Sequence, residues 1–271
     1  MKNKFGKSKK AKGKSPSTHK HKKYTSSIID KVIDNSDIIL QVLDSRFIEK
    51  TRNKEIEKKV KNLIYVFNKS DLVNKNNLEL QTQKLKPNVF FSSKEKQGYK
   101  NLKQLIKIES KRLKKETINI GIIGYPNTGK SSLINFLSKK SAVKTSSEAG
   151  YTKGIQKIKL SKGLYLIDTP GIIPVEEKSS TKIKDLVKQP QIGAVTWDKT
   201  KNPDLVIHKL MKEYPNVLEK YYKINAKADS EVLIEKLGKK LNYIKKGNLI
   251  DETRTAKKIL KDWQEGKIKI I

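Results

Sequence analysis

The chain has 271 residues, no cysteine, and a formal net charge of +33 from 61 Lys and Arg against 28 Asp and Glu. Without thiols it has neither a disulfide framework nor a thiolate metal centre, and no run of 18 apolar residues is present to span a membrane as a helix. The positive excess points to polyanionic partners, nucleic acid first, and 35% apolar residues provide for one large domain and a smaller one.

Residues 1–23 contain ten Lys and no acid. A general lysine bias would raise Lys everywhere without stripping acids from one tail. Residues 1–24 therefore read as a disordered basic arm suited to RNA contact. The arm has no apolar stretch of the kind that marks a signal peptide, so an intracellular, cytoplasmic protein is expected. His19 and His21 stand in it without metal-ligand partners. Folding is expected to begin near Ser26, where Ile28, Ile29, Val32 and Ile33 share a helical face.

Residues 37–44 read as a buried strand, 45–61 as a charged segment holding a helix, and 62–67 and 88–91 as further strands. A helix carrying Leu102, Leu105, Ile106 and Leu113 leads to an apolar strand at 118–123. Leu133, Ile134 and Leu137 recur at helical spacing after it. Residues 141–153 are polar and read as a turn-rich, mobile loop, with strands expected near 155–160 and 164–167. Strongly apolar strands alternating with helices predict a doubly wound, mostly parallel α/β sheet over 25–178.

From about Ser180 the pattern becomes helical, giving a second domain over 179–271. Asn202-Pro203 resembles a cap followed by a first-turn proline. Asp251 precedes Ala256, Ile259, Leu260 and Trp263 at i, i+3, i+4, i+7. Trp197, His208 and Trp263 read as core or interface residues.

Gly124-Tyr125-Pro126-Asn127-Thr128-Gly129-Lys130-Ser131 sits between strand and helix and reads G-x-x-x-x-G-K-S. Strand, glycine loop and helix in that order aim backbone N–H groups and a helix N-terminus at a polyphosphate. Lys130 would reach the β- and γ-phosphates, and Ser131, followed by Ser132, would ligand Mg²⁺.

Asn68-Lys69-Ser70-Asp71 ends a strand as N-K-x-D. Asp71 can accept from guanine N1–H and the 2-amino group, whereas adenine leaves that carboxylate unpaired. Asn68 would brace the loops and Lys69 lie along the base. Ser92-Ser93-Lys94 ends the next strand, where an S-A-K loop would buttress the base. Asp168-Thr169-Pro170-Gly171 reads D-x-x-G, with Asp168 towards Mg²⁺ and the Gly171 amide towards the γ-phosphate. Thr152, between the phosphate-loop helix and the next strand, is suited to closing on the metal.

These motifs occur in the order base, phosphate loop, switches. Ordinary GTPases run phosphate loop, switches, base, so this chain is a circular permutation. It leaves the GTPase core directly after Gly171, which tethers the helical domain to the part that moves with the γ-phosphate.

In these motifs and their order the chain resembles the circularly permuted GTPases of ribosome assembly, the group that helps mature the large subunit. Asp44-Ser45-Arg46 is similar to the group's D-A-R triplet after the first strand. The resemblance implies GTP hydrolysis with Mg²⁺, stimulation by ribosomal particles, and rRNA binding by basic extensions. Large-subunit precursors are the implied partners of a chain expected to be monomeric when free. It also implies potassium held by an asparagine in the phosphate loop, the position of Asn127.

Ile172 stands where many GTPases carry a water-orienting glutamine, and the family's hydrophobic residue there implies a slow intrinsic rate. Some bacterial members use an N-terminal histidine. His21 lies at a similar distance before Asp44 but lacks the surrounding glycine-rich motif. Two alternatives remain open: a GTP-stabilised RNA scaffold with little hydrolysis, and a GTPase acting on the small subunit or tRNA.

Overall fold

The computed structural model describes residues 30–139, 157–167 and 183–270. Six strands, β1 (Ile38–Asp44), β2 (Leu63–Asn68), β3 (Asn88–Phe90), β4 (Ile118–Ile123), β5 (Lys157–Ser161) and β6 (Leu164–Ile167), form one sheet in the order β3-β2-β1-β4-β6-β5. Neighbours are parallel except β5 and β6, which form an antiparallel pair. Around the sheet lie α1 (30–34), α2 (Ile48–Thr51), α3 (Lys54–Lys59), α4 (Lys75–Thr82), α5 (Tyr99–Arg112) and α6 (Lys130–Lys139).

β1 is apolar on both sides because both faces of the sheet are covered. Ile38, Leu40 and Val42 pack with Leu102 and Ile106 of α5 and Leu133 of α6. Leu43 faces the other way, onto Ile48 and Leu78, and Ile39 onto Val32 and Ile56. The expected doubly wound α/β sheet is therefore present, with β5 as its antiparallel edge.

The C-terminal module contains α7 (Ile183–Gln191), α8 (Pro203–Glu213), α9 (Val217–Tyr222), α10 (Ser230–Lys240) and α11 (Glu252–Gln264). Its core gathers Ile207, Leu210, Leu233, Ile259, Leu260 and Trp263, and also takes in Phe47 and Tyr125 from the sheet domain. Among the described residues no helix is long and apolar enough to cross a membrane.

The structure refines several expectations. The charged segment 45–61 forms two short helices rather than one, broken at Arg52 in an extended conformation, after which Asn53 caps α3 by accepting from Glu55 N and Ile56 N. α4 was not anticipated, because only Leu78 and Thr82 of its eight residues are buried. Its signal was Asn74, which caps it. The helical module also holds a hairpin, β7 (Ile244–Lys245) with β8 (Leu249–Ile250). It turns through Gly247 and Asn248, both at positive φ.

Asn202 does precede Pro203 at the start of α8, but its side chain makes no capping bond. Asp251 is a true cap, accepting from Arg254 N at 2.9 Å. Asp251→Ala is expected to cost about 1 kcal/mol, read as a lower urea midpoint at unchanged slope.

Candidate nucleotide-binding site

In open α/β sheets ligands bind outside the carboxyl ends of the strands, at the point where strand order reverses. Here that point lies between β1 and β4, and the loops after β1, β2, β3 and β4 all leave from the same end of the sheet.

After β2, Lys69 adopts a left-handed conformation (φ 59°) and 70–72 form a 3₁₀ turn. Buried Asn68 donates from Nδ2 to Thr128 O at 2.8 Å, joining the N-K-x-D turn to the phosphate loop 60 residues on. Gly129 (φ +97°) makes this approach possible, since a Cβ there would lie 2.0 Å from Asn68 Nδ2. Asn68 Oδ1 is buried without a hydrogen-bond partner.

Asp71 Oδ1 accepts from Ser92 Oγ at 2.5 Å, and Ser92 Oγ itself accepts from Glu95 N at 3.0 Å. Ser70 donates to Phe91 O from both N (3.1 Å) and Oγ (3.0 Å). The turns at 68–71 and 92–94 are thus bonded into one unit, with Ser93 half-buried and Lys94 exposed at its rim. A carboxylate offers about four lone-pair directions. The Ser92 bond therefore orients Asp71 and leaves acceptors for a two-donor edge such as that of guanine.

In the phosphate loop, Tyr125 O accepts from Thr128 Oγ1 (2.9 Å) and Lys130 Nζ (2.8 Å). Gly124 and Thr128 are buried, Pro126 is half-buried, and Asn127 is exposed with φ 60°. Ser131 and Ser132 are exposed on the first turn of α6. The glycine cradle, the helix N-terminus, Lys130 and the buried Asn68 acceptor fit a guanine nucleotide. Of the proposed Mg²⁺ ligands, Thr152 and Asp168 lie outside the described residues, as do Thr169, Pro170, Gly171, Ile172 and His21. β6 ends at Ile167, immediately before Asp168, with Ile167 paired to Gly121 of β4.

Below the turn lies a charge cluster whose geometry the sequence did not show. Asp44 is fully buried and accepts from Arg46 Nε (3.0 Å) and Nη2 (2.8 Å) and from Lys69 Nζ (2.7 Å). Burial pushes the Asp44 carboxyl upward, but Arg46 and then Lys69 outweigh it and hold the group well below the usual carboxylate range. Asp44 thereby fixes Lys69, the residue expected to lie along the base. Arg46 also donates from Nη1 to Trp263 O at 2.7 Å, and its guanidinium lies 4.9 Å from the Phe47 ring centre.

The same loops hold the C-terminal module. Tyr125 is 2% exposed within that module's core, and Lys188 Nζ sits 5.4 Å from its ring centre. Asn127 Nδ2 donates to Gly193 O, and Ile270 N to Leu72 O at 2.8 Å. The one signal for this in the sequence was a large aromatic residue inside a loop of small residues.

The family model described as RsgA GTPase matches residues 13–177, and one described as 50S ribosome-binding GTPase matches 119–240. An uncharacterized GTP-binding protein of Methanocaldococcus jannaschii is 40% identical over 250 residues, 89% of this chain and 65% of that protein. Nucleolar GTP-binding protein 2 of Saccharomyces cerevisiae is 37% identical over 251 residues, 88% of this chain and 51% of that protein. The chain thus spans between about half and two-thirds of these relatives' length.

The crystal structure of GNP-bound YlqF from T. maritima superposes with a TM-score of 0.66 at 19% identity, over 90% of this chain and 96% of that one, a likeness of fold. The family model covers more than half of the chain, and the N-K-x-D turn lies ahead of the G-x-x-x-x-G-K-S loop in sequence and is bonded to it in space; the chain belongs to the RsgA GTPase family, as a circularly permuted P-loop GTPase.

Proposed function

We propose that this protein binds and hydrolyses GTP as an assembly factor for the large ribosomal subunit, binding rRNA according to its nucleotide state. The observation that carries the reading is the Asn68–Thr128 bond, which joins the N-K-x-D turn, whose Asp71 would select guanine, to the glycine loop that would cradle the phosphates. Asp71, Ser92, Ser93 and Lys94 would hold the base with Asn68 and Lys69. Residues 124–132 would wrap the phosphates, and Lys130 would exchange Tyr125 O for phosphate oxygens. Ser131, Thr152 and Asp168 would hold Mg²⁺, which supplies charge neutralisation on the β- and γ-phosphates. Gly171 would sense the γ-phosphate, and Asn127 Oδ1 would supply a potassium ligand while its Nδ2 bonds to Gly193.

The ribosomal particle as partner is supported by the surplus of 33 positive charges and by the names of the matching families and relatives. We assign residues 1–24 to a basic arm, 25–178 to the GTPase domain and 179–271 to the RNA-binding module. The module has two routes to the nucleotide: its covalent tether after Gly171 and its grip on Tyr125 and Asn127. The nucleolar location belongs to the relatives so named. This chain would act wherever its own particle is assembled, which is the cytoplasm in a cell without a nucleus.

Ile172 favours one alternative, a GTP-stabilised scaffold with little hydrolysis. GTP turnover in potassium or sodium, with and without purified large or small subunits, separates the readings. Slow turnover that rises at least tenfold with potassium and large subunits together is expected. Tight guanine-specific binding without turnover under any condition would replace the switch by the scaffold. Stimulation by small subunits alone would move the partner.

A further inference from the structure

The C-terminal module carries a second surface, outside the nucleotide loops. On α11, Arg254, Lys257, Lys258 and Lys261 fall at i, i+3, i+4, i+7. They form a stripe about 10 Å long opposite the buried Ala256, Ile259, Leu260 and Trp263. An aromatic ring marks each end. Arg254 Cζ lies 4.1 Å from the Tyr243 ring centre, and Lys261 Nζ lies 5.0 Å from that of Trp197. Both rings are half-buried, and with the stripe they wall an open cavity of about 460 Å³.

Partner assignments show which of these charges are already matched. Lys258 pairs with Asp262, a buried carboxylate that also accepts from Lys267 Nζ (3.0 Å) and Tyr222 Oη (3.0 Å). Asp251, the acid in the cavity wall, caps its own helix. Lys257 donates to a neutral carbonyl, Asp198 O, at 2.9 Å, and Lys261 reaches Glu265 only at 3.9 Å. Arg254 rests against Tyr243, and so the cavity keeps a positive surplus beside aromatic faces. A solvated helix face accounts for lysines alone, but not for a ring with a cation over it at each end of the stripe.

We propose that this face binds a short single-stranded RNA segment. Bases would stack on the Tyr243–Arg254 pair and on Trp197, and phosphates would meet Lys257 and Lys261. A duplex would offer phosphates to the lysines but no unstacked base to the rings. The proposal rests on the RNA-binding part of the function above and names where and in what form the RNA is held.

The test uses the full chain with a short RNA containing 4-thiouridine, as a single strand and as a duplex, at physiological ionic strength. Photo-crosslinks are expected on the peptides holding Tyr243 or Trp197. Tyr243→Leu should weaken single-strand binding about tenfold, Tyr243→Phe should retain it, and both should bind a fluorescent GTP analogue as the parent does. Lys257→Gln with Lys261→Gln should reduce the slope of log affinity against log salt by about 1.4.

Crosslinks confined to the N-terminal peptides, or a Tyr243→Leu affinity within twofold of the parent, would overturn the site while leaving RNA binding by the chain intact. Equal displacement by a polyglutamate peptide would reduce the face to a plain electrostatic surface and also overturn it. A parent chain that binds GTP but neither RNA would remove the RNA-binding reading itself.

Discussion

Replacing Asp71 by Asn is expected to lower GTP affinity by about two orders of magnitude and to admit xanthosine triphosphate. The carboxylate is held by Ser92 Oγ at 2.5 Å, which leaves acceptors for two donors on one base edge. An amide keeps one acceptor and turns an N–H towards the guanine 2-amino group, so one charge-assisted bond is lost and two donors face each other. Bonds to charged groups contribute about 1.5–3 kcal/mol each, and leaving one unmade costs more.

Xanthine carries a carbonyl at that position, which the amide N–H can meet. The amide should therefore reverse the preference rather than only weaken binding, because sites built to pair polar edges reject mismatched ones strongly. Competition of GTP, ATP and xanthosine triphosphate against a fluorescent GTP analogue would measure this. An Asp71→Asn protein that still preferred GTP over ATP by the parent's ratio would remove Asp71 from base recognition.

The largest effect on stability is expected at Arg46. Arg46→Ala takes both guanidinium bonds from Asp44 and also takes the donor from Trp263 O, leaving a fully buried carboxylate with Lys69 as its one charged partner and the backbone N–H of residue 46. Removing one partner of a buried pair costs about 3–5 kcal/mol, mostly through the charge left behind. For a chain of this size that is a fall in Tm of about 10 °C.

The pH dependence has a definite sign. The folded carboxyl of Asp44 is held below its unfolded value of about 4. Its contribution is thus complete above that value and is lost as pH falls towards the folded one. In Arg46→Ala, burial opposed by Lys69 and one backbone N–H, without the guanidinium, raises the carboxyl again. The difference between parent and variant should therefore be widest near neutral pH and shrink on acidification. Urea unfolding at neutral and mildly acidic pH would show it, and a difference under 1 kcal/mol at neutral pH would mean that Arg46 is not the clamp. Because Asp44, which fixes Lys69, would lose its guanidinium brace, the same variant should bind GTP more weakly.

Part of this protein is legible in its sequence. β1, β2 and β4 are apolar runs because both sheet faces are covered, and such runs declare themselves. The nucleotide motifs are equally legible, since the turn and loop chemistry they need is local: Gly129 at positive φ, Lys130 at a helix start, and Asp71 after a strand. Their order carried the permutation. Elements with weak local signals were not legible. α4 buries two of its eight residues, and β7 and β8 have two residues each.

Tertiary structure alone decided what those motifs touch. That Asn68 reaches Thr128, that Lys69 reaches Asp44, and that Arg46 reaches Trp263 some 217 positions on are facts of packing. No local propensity encodes them, because each depends on which strand ends the sheet order brings side by side, or on which helix packs over them. The same holds for Tyr125, a phosphate-loop residue by sequence and a core residue of the helical module by position. Chemistry that sits within a few consecutive residues can be read from the chain, whereas chemistry shared between distant residues appears only once burial has chosen the neighbours.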